Sequence, residues 1–456
     1  MNLENKYYFL SCDTTLVEFR SLDNCLTYMD EIGIKPILDE SALYHFLRNG
    51  IVVPPYTIYR HIFTCAANDE ICISKGKIVM RRNEFRTWWH SKRSFLKQDN
   101  VLDLLANNLA SSVSGNQAVL MLSSGKDSNL LLCAAAKANL REEIKCVTIK
   151  SDIALNDESV FAARLCTDLG FNHIQLEELG RMSDAFVLYL REYFSRLSEP
   201  ASDFVILQYP WLLFNNVISK NDILIDGGGN DQYLGIATNK RDHFLHFFFK
   251  YQFFWRLVGR LFRSRLKNYV GRSLLERFML SRTTPHDVNE IVQFENPPHS
   301  KWNSVEKDLS RFSLSQIKSY VVCTLAANEQ HLKKVRLQSA FVKKVVFPFL
   351  DVSVINALID QNHEENPKQH LLDLLQKELP DCDFTQKKGF SLNISKFVYV
   401  NLDLIIAEIS ECQLINLSKI KQMAKSCDRE LDPLHYESSV IFQVYVLCLW
   451  INSRFK

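Results

Sequence analysis

No pair of the 12 cysteines is spaced as Cys-x-x-Cys, and no clustered set of zinc ligands is visible, so a zinc centre is not expected. Charge of one sign is also missing. The 54 Lys and Arg residues offset 52 Asp and Glu residues to leave a net charge of +2, which gives no global pull toward nucleic acid. No apolar run approaches the ~18 residues of a membrane span. The opening MNLENKYYFLSCDTT has no basic stretch followed by an apolar one. No secretory signal is therefore expected there, and the cysteines read as reduced thiols of a cytoplasmic protein. Glycine is sparse at 14 residues, whereas phenylalanine is abundant at 30. What remains is a chain of 456 residues, 47% hydrophobic and 23% charged, long enough for a large core in two or three structural units.

No repeat or low-complexity tract interrupts the chain. Residues 1–45 read as a few short strands and a helix. Residues 46–82 read as a loop and hairpin, in which Pro54-Pro55 forces an extended entry and ICIS-KG-KIVM turns between two alternating runs. A helix is expected over 99–112. A β-α alternation follows, with strands at 119–122, 145–150, 173–176 and 222–225 and helices at 129–139 and 158–169. Short apolar runs joined by helices predict an α/β fold with a doubly wound parallel sheet. From about 236 onward the pattern reads as almost wholly helical. The aromatic, basic stretch 243–267 reads either as a core helix of that portion or as a docking surface for a peptide or membrane.

The chemistry-bearing stretch is QAVLMLSSGKDSNLLLCAAAKAN, 117–139. A Walker loop is excluded, because Leu120 stands five residues before Gly125 and Asp127 follows Lys126. The alternative is a short strand-turn-helix anion site. Gly125 admits a phosphate, the first helix amides point at it, and Ser123 and Ser128 offer hydroxyls. Asp127 would repel phosphate unless a divalent cation lies between them, which implies Mg²⁺. The competing reading is a helix N-terminus capped by Ser and Asp with no ligand.

This stretch resembles the SGGxDS loop of the ATP-pyrophosphatase (PP-loop) enzymes, with Ser124 in place of the first Gly. Further landmarks resemble the synthetase domain of the asparagine synthetase/β-lactam synthetase family, in that family's order, over roughly residues 43–454. They are LYHFLRNGIVVPPYTIYRHIF, NDESVFAARLCTDLGFNHIQLEE, ILIDGGGNDQYLG, RLQSAFVKKVVFPFLD, FTQKKGF and VYVLCLWINSRF. The resemblance implies an adenine nucleotide alpha hydrolase-like sheet with a large helical portion. It also implies a ligase that uses ATP and Mg²⁺, adenylates a carboxylate, releases pyrophosphate and couples an amine.

The site residues follow from it. Leu122 and Ile149 would offer backbone to adenine. Ser123, Ser124, Gly125, Asp127, Ser128, Asp226 and Gly227 would hold the nucleotide and pyrophosphate, and Asp127 and Asp231 the metal. Lys387 falls on the family's catalytic lysine, where it would neutralise charge in the transition state, with Lys388 its neighbour. The plainer readings are a tight turn at 226–231 and two solvated loop lysines. Several positions depart from the family. Gly228 stands where Glu or Tyr is usual, Gln232 where Glu is, and Thr385 where Arg is. Arg336 keeps the family's Arg, but Lys344 replaces a Glu and Val346 an Arg, which implies a remodelled acceptor pocket.

The family's glutamine-using members start Met-Cys, and here the second residue is Asn2. No glutaminase activity is therefore expected. Residues 1–82 are expected to form a shortened non-catalytic unit. Residues 95–454 should form the synthetase domain, with 95–235 as its nucleotide-binding half and 236–454 as its helical half. The expected substrate is a small-molecule or peptide carboxylate that carries or meets an amine, with lactam or macrolactam closure as in β-lactam synthetases and lasso-peptide cyclases. A partner peptidase or carrier protein fits that class, and no nucleic-acid partner is expected. A tRNA-modifying PP-loop enzyme and a non-catalytic nucleotide-binding relative are the other readings.

Overall fold

The computed structural model describes residues 5–11, 15–75, 77–92, 100–151, 157–250, 275, 285–294, 302–361, 366–384, 393–427 and 436–455. The chain opens with an antiparallel sheet in the order β2-β1-β3, from β1 (Lys6–Leu10), β2 (Leu16–Phe19) and β3 (Ile62–Cys65). Helices α1 (Leu22–Glu31) and α2 (Glu40–Asn49) lie between β2 and β3. Ser21 and Asp39 start them by accepting backbone N–H bonds from Asn24 and Ala42, the role of short polar side chains at a helix N-terminus. The hairpin β4 (Glu70–Ser74) and β5 (Lys77–Arg81) then closes in the register expected from its alternation.

After α3 (Phe85–Lys92) and α4 (Val101–Val113), the α/β portion runs β6 (Ala118–Met121), α5 (Lys126–Lys137), β7 (Ile144–Lys150), α6 (Ser159–Leu169), β8 (Asn172–Glu177), α7 (Asp184–Ser195), α8 (Gln208–Phe214) and β9 (Ile223–Ile225). A fifth strand, β10 (Lys344–Val346), completes a parallel sheet in the order β10-β9-β6-β7-β8. Both faces are buried, which is why these strands read as continuous apolar runs. Leu120, Ile223 and Ile225 point into one core with Leu130 and Leu131, while Val119 and Leu224 point into the other with Tyr209 and Leu212.

Among the described residues after 236, β10 is the only strand, and the rest is helix, turn and loop, as the pattern predicts. Only three residues long, it lies within KKVVFPFLD, and its strand character comes from pairing with β9 across more than a hundred residues of sequence. The FPFLD turn does follow it, with Pro348 opening a short 3₁₀ turn. In the stretch 243–267, α9 (Asp231–Leu234) and α10 (Lys240–Lys250) lead in, and positions beyond 250 lie outside the described residues. The segment 314–336 forms one helical rod whose middle, Tyr320–Leu332, is wound as a wide π-type helix. It packs between the N-terminal unit and the sheet. The helix Tyr436–Arg454 is buried along almost its whole length in the core shared with the N-terminal unit. No described helix is long and apolar enough to cross a membrane.

Candidate active site

Two turns leave the carboxyl ends of neighbouring strands, 122–125 after β6 and 226–230 after β9. Ligands of open α/β sheets bind at this edge. The first turn is held by its own hydroxyls. Ser123 N–H donates to Ser128 Oγ at 3.2 Å, and Gly125 N–H donates to Ser123 Oγ at 3.1 Å. The two serine hydroxyls lie 3.0 Å apart. Ser123 and Ser128 therefore shape the loop, and the donors aimed outward are the opening amides of α5. Gly125 occupies the N-cap of α5 with no side-chain cap bond, so the capped-terminus reading loses its main feature. Ser124 donates to the buried Glu158 at 2.5 Å, which ties the loop to the start of α6.

The second turn fits against the first. A Cβ on Gly227 would come within 3.1 Å of Ser128 N, so the backbones touch only because Gly227 has no side chain. Asp226 turns inward and accepts from Gly228 N–H at 2.8 Å. Burial pushes its carboxyl up from the usual range. Asp226 is thus a builder of the turn. A Cβ on Gly228 would sit 2.7 Å from Leu332 Cδ2, so the rod at 320–332 fills the space that the Glu or Tyr usual in the family would need.

Asp127 and Asp231 converge on a single cation, Lys368. Its ammonium donates to Asp127 Oδ2 at 2.9 Å and pairs with Asp231 Oδ1 at 2.8 Å. Burial works against this charge, but Asp127 and Asp231 outweigh it and the lysine pKa stands well above its ordinary value. Asn230 fixes the other Asp127 oxygen, at 2.6 Å. The sequence reading missed Lys368 and Asn230. Lys368 has a left-handed φ of 71° at the head of the helix Gln369–Glu378, and Asn366-Pro367 before it signalled only a turn.

Two carboxylates within reach of one positive centre fit Mg²⁺, which takes one or two carboxylates and completes its shell with phosphates and water. Asn230 Oδ1 is buried beside them without a hydrogen-bond partner, an acceptor suited to a metal-bound water. Among the described residues no group of three or more His, Cys, Asp or Glu side chains could hold an ion by itself, so the phosphates would have to supply ligands. Leu122 and Ile149 are buried at the sheet edge. Leu122 commits its N–H to Val147 and its carbonyl to the Thr148 hydroxyl. Lys387, Lys388 and Thr385 lie outside the described residues.

Two carboxylates thus meet beside a helix N-terminus at the carboxyl edge of a parallel sheet, the edge where doubly wound α/β proteins bind their ligands. The asparagine synthase family model matches residues 100–390, and the chain belongs to that family. Its members are ATP-dependent amide-forming ligases that generally use Mg²⁺. No curated protein matches the chain.

Proposed function

We propose that the protein adenylates a carboxylate with ATP·Mg²⁺, releases pyrophosphate and couples an amine to the acyl-adenylate, closing a lactam, macrolactam or amide. The observation that carries this reading is the convergence of Asp127 and Asp231 on one cation position beside the α5 N-terminus. The α5 amides and Gly227 backbone hold the pyrophosphate oxygens. Asp127 and Asp231 would hold the Mg²⁺, which when bound would neutralise the phosphates. Lys368, beside the same carboxylates, would add positive charge near the phosphates, and Lys387 stabilises the oxyanion of the coupling step.

The amine comes from the substrate itself, from free ammonia or from a partner. The test is Mg²⁺-dependent pyrophosphate release with a pool of carboxylates, read by mass spectrometry of AMP and product. AMP with a product lighter than its precursors by one water supports the ligase. ATP binding without AMP under every condition supports a non-catalytic relative, the reading that the departures at Gly228, Gln232 and Thr385 favour.

A further inference from the structure

An amine that attacks an acyl-adenylate must give up a proton, and the carboxylates of the two turns are committed elsewhere. Asp127 and Asp231 share Lys368, and Asp226 accepts from Gly228 N–H. Gly228 contributes no side chain, and Leu332 of the rod stands against it. The residue before Leu332 is His331, at the end of the π-type segment Tyr320–Leu332. Windings of that kind recur at functional sites. His331 Nδ1 lies 3.1 Å from Asp203 Oδ2. The same oxygen accepts from Lys334 at 2.7 Å, and the other Asp203 oxygen accepts from Val205 N–H at 2.8 Å. Burial works against the Asp203 charge, but Lys334 and His331 outweigh it and hold the carboxyl well below the usual carboxylate range. A fixed carboxylate sets the ring tautomer, so that Nδ1 keeps the hydrogen and Nε2 carries the lone pair. The His331 side chain is 55% exposed and that of Asp203 only 10%, so the carboxylate is built into the fold and the ring stands at its surface. This group adjoins the second turn, since the charges of Lys334 and His331 both reach the Asp226 carboxyl.

We propose that His331 is the general base of the coupling step, with Asp203 holding its ring. The inference rests on the ligase reading. As the amine nitrogen bonds to the carboxyl carbon of the acyl-adenylate, one N–H proton passes to His331 Nε2. The bond from that carbon to the phosphate oxygen breaks, and AMP leaves with the electron pair. The Asp203 carboxylate stabilises the imidazolium, which returns its proton to water. Histidine is the side chain most often used for such a transfer. A base that reaches in from the rod leaves Gly228 with no proton to carry.

The test separates the two half-reactions on the full chain. Pyrophosphate release is measured with the pool of carboxylates. Coupling is measured with ammonium chloride and with hydroxylamine, a weakly basic and highly reactive amine that depends less on a base. His331→Gln changes an exposed side chain, and its fold is checked by circular dichroism. It should reduce amide formation from ammonium about a hundredfold, and hydroxamate formation far less. In His331→Ala, added imidazole should restore part of the amide rate. An unchanged amide rate in His331→Gln overturns the proposal. Equal losses with the two nucleophiles and no rescue by imidazole overturn it as well, because His331 then only shapes the site. So does a loss of pyrophosphate release in His331→Gln as large as the loss of amide, since that step has no amine to deprotonate. No pyrophosphate release by the parent with any carboxylate removes the ligase reading itself, and the proposal with it.

Discussion

The nucleotide turns and the cavity of about 480 Å³ between the N-terminal unit and the rod at 314–336 are built by opposite routes. The turns come from two short stretches, 122–128 and 226–231, each of which carries its own hydrogen bonds, and a parallel strand pair brings them together. The cavity draws on Asn5, Glu199, Glu329 and Lys333, of which only Glu329 and Lys333 are neighbours, one turn apart on the rod, while Asn5 and Glu199 reach them from distant parts of the chain. A site of the first kind loses chemistry when a residue is changed. A site of the second kind loses structure, because each charge is buried only as long as its partners are.

Lys333→Met should produce the largest effect. It leaves Glu199 and Glu329 buried without their counter-ion and should cost about 3–5 kcal/mol in denaturant unfolding. A loss below about 1 kcal/mol would show that water reaches this cluster. Asp127→Asn should come next. It should reduce Mg²⁺-dependent pyrophosphate release about a hundredfold with little change in melting temperature, and unaltered release would remove Asp127 from the site. Lys368→Met should bring the two carboxylates into mutual repulsion. The metal-free protein should lose roughly 1 kcal/mol, and Mg²⁺ should restore more stability to the variant than it adds to the parent. Equal gains would separate Lys368 from the metal position. Gly227→Ala asks the Ser128 backbone to move by a few tenths of an ångström and should weaken ATP binding about fivefold, near 1 kcal/mol.

The last effect is confined to acidic pH. Burial raises the Asp69 carboxyl to about 6 even though Arg82 and the Tyr320 hydroxyl oppose the shift. Its folded pKa thus exceeds its unfolded value, and between about 4 and 6 the native state holds more protons. This group's contribution therefore falls as pH rises through that window, by at most ~1.4 kcal/mol per pH unit. Urea midpoints of the parent and Asp69→Asn across the window measure it, and parallel curves would remove Asp69 as a source of pH dependence.

Much of the sheet could be read in advance. Val119, Leu120, Ile223 and Leu224 are apolar because both faces of their strands are covered, and that leaves a pattern of short apolar runs. The loop at 123–128 was legible for a similar reason, since a strand that ends in small residues before a helix is a local event. β10 was not, because three residues carry no period of their own. The π-type winding at Tyr320–Leu332 also escaped, since its sequence is compatible with an ordinary helix.

The residue order by itself determined the α/β class, the family, and the two turns that face each other at the sheet edge. Periodicity and turn chemistry are properties of neighbours along the chain. Only the tertiary structure decided that Lys368 stands between Asp127 and Asp231, that Leu332 denies Gly228 a side chain, and that His331 meets Asp203. Those contacts join segments a hundred or more residues apart. Electrostatic attraction and steric exclusion act through space, and no local pattern encodes which distant charge or methyl group will arrive there.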